Sequence, residues 1–279
     1  MNTLLLEMEK RALSIAQHEN FNDVVVSHHK MISDVYASSP LYYKILFKSN
    51  KFILGICILA IYVSYENPTI DQVKEYCGKL NIFSTNSISS FILFLRVTGR
   101  IKTEKNKIDK RKLNYSPTNK LLAETELLIK TMILPLEGVT HNASERIDLS
   151  SENFVLDFFF KYSLIVFANI FLHVVIPAAS CFILKDAGHM MIINIMVKHI
   201  HAGSNRFAFN MVKSANECGV SRTHLKTALL DAQKEGLLEL NSSAGELTLN
   251  ESFHAMTTHY MSLYLACIEY GTLRDQTLA

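Results

Sequence analysis

Sliding this sequence over itself by 137 residues brings its punctuation into line: Pro40 falls on Pro177, Lys48 on Lys185, Ser84 on Ser221 and Gly99 on Gly236. Around those anchors ILFKSNKFILGICILAIYVS (45–64) lies over FILKDAGHMMIINIMVKHIH (182–201). Likewise FSTNSISSFILFLRVTGRI (83–101) lies over VSRTHLKTALLDAQKEGLL (220–238). One residue of slack before Ser84 sets Cys77 and Leu80 over Ala215 and Cys218. Self-similarity of this kind marks a chain built from repeated supersecondary units. The expectation is two copies of one fold, over residues 1–140 and 141–279.

Each copy follows the same order. A long apolar helix (roughly 51–64 and 188–201) gives way to a polar break, Glu66-Asn67-Pro68-Thr69 or Ala202-Gly203-Ser204-Asn205. Thr69 and Gln72 have the spacing of a capping box, in which hydroxyl and amide satisfy free N–H groups at a helix start. A short helix runs to about Lys79 or Glu217, and after a tight turn Ser84 or Ser221 stands where an N-cap belongs. The third helix ends at Gly99 or Gly236, glycine being the residue that turns left-handed without penalty. Its apolar stripe is Ile88, Phe91, Ile92 and Leu95 in one copy and Leu225, Ala228, Leu229 and Ala232 in the other. A hairpin follows, over Arg100–Tyr115 or Leu237–Leu249, and a last helix (118–135, 250–270) closes each copy.

The one run long enough to span a bilayer is 162–184, YSLIVFANIFLHVVIPAASCFIL. Its counterpart, 25–47, holds His28, His29, Lys30 and Asp34 and cannot span. If the copies share a fold, 162–184 is a buried core helix that breaks at Pro177. Acids in the first ten residues (Glu7, Glu9) argue against an export signal, and five scattered cysteines without a C-x-x-C suit a reducing compartment. The expectation is a cytoplasmic protein with no membrane contact.

Helix, helix, turn, helix and two-stranded hairpin is the order of a winged helix-turn-helix. VSRTHLKTALLDAQKEGLLEL (220–240) resembles the recognition helix and first wing strand of MarR-type bacterial transcriptional regulators. Asp109-Lys110-Arg111, followed by Tyr115-Ser116-Pro117-Thr118, is similar to that family's wing. The resemblance covers roughly 50–120 and 187–255. Two departures stand out: family members carry one such unit per chain and dimerise, and the second copy here lacks the Asp-x-Arg wing. The resemblance implies a mainly α fold with small β-hairpin wings (α+β), as two tandem winged helix-turn-helix domains arranged as a pseudo-dimer. It also implies double-stranded DNA as the partner and a small-molecule effector between the long helices and the reading head. The sequence names no ligand. Further dimerisation is left open.

The candidate DNA-binding residues fall in three sets. Ser84, Thr85, Asn86, Ser87, Ser89 and Ser90 open the first third helix, uncharged but able to donate and accept hydrogen bonds. Ser221, Arg222, Thr223, His224 and Lys226 open the second, where side chains reach base edges in a major groove. Arg222 suits a bidentate contact to guanine and Lys226 a phosphate. In the first wing Lys102, Lys105, Lys107, Lys110, Arg111 and Lys112 face only Glu104 and Asp109, which suits phosphates or a minor groove. The second wing, Asn241–Gly245, has no basic residue, so the two modules should bind with unequal strength. Net charge agrees, at +5 over 1–140 and −3 over 141–279. The bland alternative for each set is a solvated helix start or loop. Two third helices one helical turn apart would meet adjacent major grooves of an imperfectly palindromic site, with the apolar helices 154–174, 117–135 and 250–270 forming the interface between halves.

No phosphate-cradling, nucleophile-elbow or zinc-protease motif is present, so no enzymatic activity is expected. His199-x-His201 with His189, His254 and His259 reads as scattered surface histidines, so no metal or other cofactor is expected. Cys77 and Cys218 read as core thiols, with redox sensing as the alternative. Two other functions fit the same order of elements: a plasmid- or phage-type replication initiator, and an interaction scaffold that no longer touches DNA.

Overall fold

The computed structural model describes residues 3–48, 50–137, 139–140 and 147–274. It is mainly helical, with two small antiparallel sheets. Three helices come first, α1 (Thr3–Ala16), α2 (Phe21–Ser38) and α3 (Pro40–Leu46). They lead into α4 (Lys51–Ser64), α5 (Ile70–Lys79), α6 (Thr85–Val97), strands β1 (Ile101–Lys105) and β2 (Leu113–Pro117), and α7 (Asn119–Leu136). A connecting series follows: α8 (Phe154–Phe167), α9 (Leu172–Val175), a 3-10 turn (Pro177–Ala179) and α10 (Ser180–Ile183). The chain then repeats its order as α11 (Gly188–Ala202), β3 (Arg206–Ala208), α12 (Met211–Glu217), α13 (Arg222–Lys234), β4 (Leu238–Asn241), β5 (Glu246–Leu249) and α14 (Glu251–Gly271).

The matched punctuation does matched work. Thr69 and Gln72 close a full capping box on α5. The Ser84 side chain accepts from the Ser87 N–H to start α6, and that of Ser221 from the His224 N–H to start α13. The turn before each helix passes through one left-handed residue, Asn81 (φ 57°) or Gly219 (φ 70°); glycine and asparagine tolerate that conformation best. Gly99 (φ 71°) and Gly236 (φ 69°) end the helices as expected. Their carbonyls are then used alike, Gly99 accepting from the Thr118 hydroxyl (2.8 Å) and Gly236 from the Asn250 amide (2.9 Å). Both apolar stripes are buried in full.

The strands show one difference from expectation. Besides the hairpin pair β4–β5, β3 adds a third strand in the order β3-β5-β4, with Arg206 opposite Thr248. Phe207 and Phe209 are buried between exposed neighbours, the period-two alternation of a half-buried strand. The first hairpin has only a single bridge there, Thr69 to Asn114.

The compact units are not the sequence halves 1–140 and 141–279. One, the α13 unit, gathers Met1–Ser49, Thr131–His141 and Ile170–Ala266; the other, the α6 unit, gathers Asn50–Lys130, Asn142–Asn169 and Cys267–Ala279. Each core of the repeat thus takes its flanking helix from the other half of the chain. α2 packs on α11 in the α13 unit, and α8, its counterpart, packs on α4 in the α6 unit. The exchange is reciprocal, and the physical reason is that the long apolar helices α4 and α11 must bury faces their own hairpins do not cover.

The run expected to break at Pro177 stops earlier. α8 ends at Phe167, the Tyr76 hydroxyl donates to the Val166 carbonyl (2.6 Å), and Asn169 is left-handed (φ 56°). By length and composition Phe154–Val175 is apolar enough to cross a membrane, with mean hydropathy 1.8 over an 18-residue window, 44% of it buried. Phe154, Phe158, Phe159 and Val166 are buried, whereas Phe160 and Leu164 are exposed.

The histidines also differ from expectation. His28, on α2, is fully buried; its Nδ1 donates to the Thr131 carbonyl (2.9 Å) and its Nε2 accepts from His189 Nε2 (3.0 Å). His189 Nδ1 in turn accepts from the Tyr260 hydroxyl (2.7 Å). A carbonyl can only accept, and with both imidazoles kept neutral by burial the donors run from Tyr260 through His189 and His28 to Thr131. Burial holds the His28 pKa down to about 4, and burial with the neighbouring imidazoles keeps His189 well below its usual value.

Candidate nucleic-acid interface

In the α6 unit the buried stripe fixes which face of α6 is left over. Thr85, Asn86, Ser89 and Ser90 are exposed, and so is Ser84, whose hydroxyl oxygen is occupied as the cap. Ser87, expected to face out, does not. Lys51, on α4, donates its Nζ to the Ser87 carbonyl (2.8 Å) and to the Ser87 hydroxyl, and sits 5.7 Å from the Phe91 ring centroid. A lysine at the start of α4 thus anchors the start of α6.

The adjoining hairpin is a preorganised cationic loop. Its tip is held by short polar side chains: Asn106 Oδ1 accepts from the N–H groups of Ile108 and Asp109 (both 2.9 Å), and Asp109 Oδ1 from that of Arg111 (3.1 Å). Asn106 Nδ2 donates to Asn114 Oδ1 (2.9 Å) across the strands. With the backbone so fixed, Lys102, Lys105, Lys107, Lys110, Arg111 and Lys112 are all exposed. Asp109 therefore shapes the loop around Arg111. At the base of β1 the buried Arg100 forms a bidentate pair with Glu124 on α7 (2.7 and 2.6 Å). The Tyr115 hydroxyl donates to the Ile58 carbonyl (2.7 Å), fastening β2 to α4.

In the α13 unit Arg222, Thr223 and Lys226 are exposed on α13, as is Ser221 before it. His224 is turned inward, its Nε2 donating to the Asp186 carbonyl (3.1 Å). It therefore fixes the helix start and is not placed to read a base. The hairpin here is neutral at its tip, where Asn241 Oδ1 accepts from the Ala244 N–H (3.1 Å) and the Ser243 hydroxyl (2.8 Å). Arg206, the nearest basic side chain on the sheet, is paired to Glu246. Lys234, farther along α13, is paired to Asp231 (3.0 Å).

The sequence reading missed Tyr36, Lys44 and Lys48, which line a cavity with Ser221 and His224 at the start of α13. No local pattern could find them, because α2 and α3 belong to the other half of the chain. Among the described residues no group of three or more His, Cys, Asp or Glu side chains converges as a metal site would. The His199 and His254 rings do meet, with centroids 4.4 Å apart. The five cysteines are free thiols, and burial pushes Cys218 up to about 12, far from the thiolate a redox sensor uses. No family model, characterised protein or solved structure matches the chain.

Proposed function

We propose that the protein is a sequence-specific, double-stranded-DNA-binding transcriptional regulator that uses two winged helix-turn-helix units of one chain and acts by binding rather than catalysis. The observation that carries this reading is the exposed N-terminal face of α6 beside a hairpin whose six basic side chains are all exposed on a loop held by Asn106 and Asp109. A helix start able to exchange hydrogen bonds suits base edges, and a rigid cationic loop suits the flanking phosphates. α13 repeats the helix with Arg222 and Lys226 exposed but without the cationic loop. The α6 unit therefore supplies most of the sequence-independent affinity, and the α13 unit contributes mainly discrimination.

In this reading one chain does the work of a dimer. The reciprocal exchange of α2 and α8 is what a dimer with swapped N-terminal helices becomes when its protomers are joined end to end. Phe154–Val175 serves as core in this reading, since Phe154, Phe158 and Phe159 of α8 are buried and α8 packs on α4, and the protein acts in the cytoplasm. The test is the salt dependence of duplex binding. With several phosphates neutralised, log K falls by about 0.9 per log salt for each one; a protein that binds only other proteins gives nothing to titrate.

A further inference from the structure

At the start of α13 lies a cavity of about 220 Å³. The Tyr36 phenol reaches its wall through a gap that only glycine leaves: a Cβ on Gly219 would stand 2.4 Å from the Tyr36 hydroxyl oxygen. From α3 and the turn after it come Lys44 and Lys48, both exposed and, among the described residues, in no ion pair. Asp186 is the sole acid in the lining, so two lysines face one carboxylate there and the balance of charge is positive. Both lysines line the cavity, and an anion held there would offset the repulsion between them. The volume is below the roughly 300–1,000 Å³ of drug-sized ligand sites and is ample for one phosphate group.

We propose that this cavity seats a backbone phosphate of the bound duplex, with Lys44 and Lys48 as its cationic contacts and Tyr36 as a neutral donor. It rests on the reading of α13 as a DNA-reading helix and deepens it. A duplex that receives Arg222 in a groove brings backbone phosphates to the groups flanking the helix start. The lysines come from the first half of the chain while the helix comes from the second. The exchanged segment therefore supplies the α13 unit with the phosphate contacts that its own hairpin lacks.

The test uses the full chain and a mixed-sequence 30-base-pair duplex, titrated by fluorescence anisotropy across a salt series. Replacing both lysines (K44A/K48A) should make the slope of log K against log salt shallower by about 1 to 2, and K44R/K48R should restore it. Tyr36→Phe, which keeps the ring, should weaken binding several-fold at one salt concentration. A thermal melt of each variant, matching that of the parent, keeps a folding defect from passing as a binding one. An unchanged slope in K44A/K48A, with the parent still binding, overturns the phosphate seat alone. If the parent binds no duplex at all, the DNA reading falls and takes the seat with it. Inorganic phosphate, titrated at constant ionic strength, covers the other source of this chemistry. Stabilisation by millimolar phosphate, lost in K44A/K48A with no change in duplex slope, would make this a site for a free anion and also overturn the proposal.

Discussion

Arg100 follows Gly99 in the α6 unit, and Leu237 follows Gly236 in the α13 unit. Arg100 is paired to Glu124, the sixth residue of α7; the sixth residue of α14 is Met256, buried like Leu237. The core of the α13 unit shows the opposite choice. His28, His189 and Tyr260 form its buried polar chain, whereas Ile165, Phe52 and Leu128 occupy the corresponding places in the α6 unit. The two copies keep the caps, stripes and left-handed turns that define the backbone, and exchange polar for apolar groups where only packing is at stake. Shared caps and turns with divergent chemistry are what the proposal of two modules with unequal jobs requires.

The largest effect expected comes from breaking the ion pair on one side. Glu124→Met leaves the Arg100 guanidinium buried without its carboxylate and should destabilise the α6 unit by about 3–5 kcal/mol. The double change R100L/E124M, which copies the α13 unit, should recover most of that loss, because a packed apolar pair commonly replaces a buried ion pair at little cost. Denaturant unfolding of the three proteins checks both. A double variant as unstable as the single one would show that the two units are not packed alike at this point.

Acid should act on the other unit. His28 is held near 4 in the folded protein and returns to about 6.5 when unfolded, so below pH 6.5 the unfolded chain takes up a proton that the folded chain refuses. Stability is complete well above 6.5 and falls by about 1.4 kcal/mol per pH unit below it for His28, and His189, also held low by burial, adds to the loss in the same direction. The groups facing the pair are neutral or only partly charged, namely Tyr260, Tyr264 and His29. Hydrogen exchange should accordingly quicken in α2 and α11 on acidification while α4 and α8 hold. Equal loss in both units would show that the imidazoles are not the cause.

The hairpins give the third contrast. Alanine at Lys110, Arg111 and Lys112 should weaken binding to every duplex by roughly a hundredfold and reduce the salt slope by about 2 to 3. Alanine at Ser242 and Ser243 should change neither, and an equal loss from the two hairpins would remove the asymmetry. The smallest effect is the most specific. Arg222→Ala should relax the preference at one base pair by about tenfold, within the 1–3 kcal/mol of a bidentate contact, and leave random duplexes nearly untouched.

What could be read from the sequence was whatever depends on neighbours along the chain. Ser84 and Ser221 cap, Gly99 and Gly236 turn, and Ile88 and Leu225 fall on buried stripes because each follows from spacing within one helix. What could not be read depends on distant partners. β3 exists through its pairing with β5, although the alternation of Phe207 and Phe209 was a signal for it. Ser87 looks exposed until Lys51 is brought to it, and His224 until the Asp186 carbonyl is. The units themselves escape a reading by halves, because α2 and α8 find their partners in the opposite half.

Selection of binding sites from random duplexes by the intact chain, followed by footprinting of the winners, probes most directly whether one polypeptide carries two unequal reading modules. The account predicts a bipartite, non-palindromic site with its parts about one helical turn apart, protected more strongly on the side lost when Lys110, Arg111 and Lys112 are replaced. Failure to enrich any sequence, or enrichment of a perfect palindrome protected equally on both sides, would contradict it.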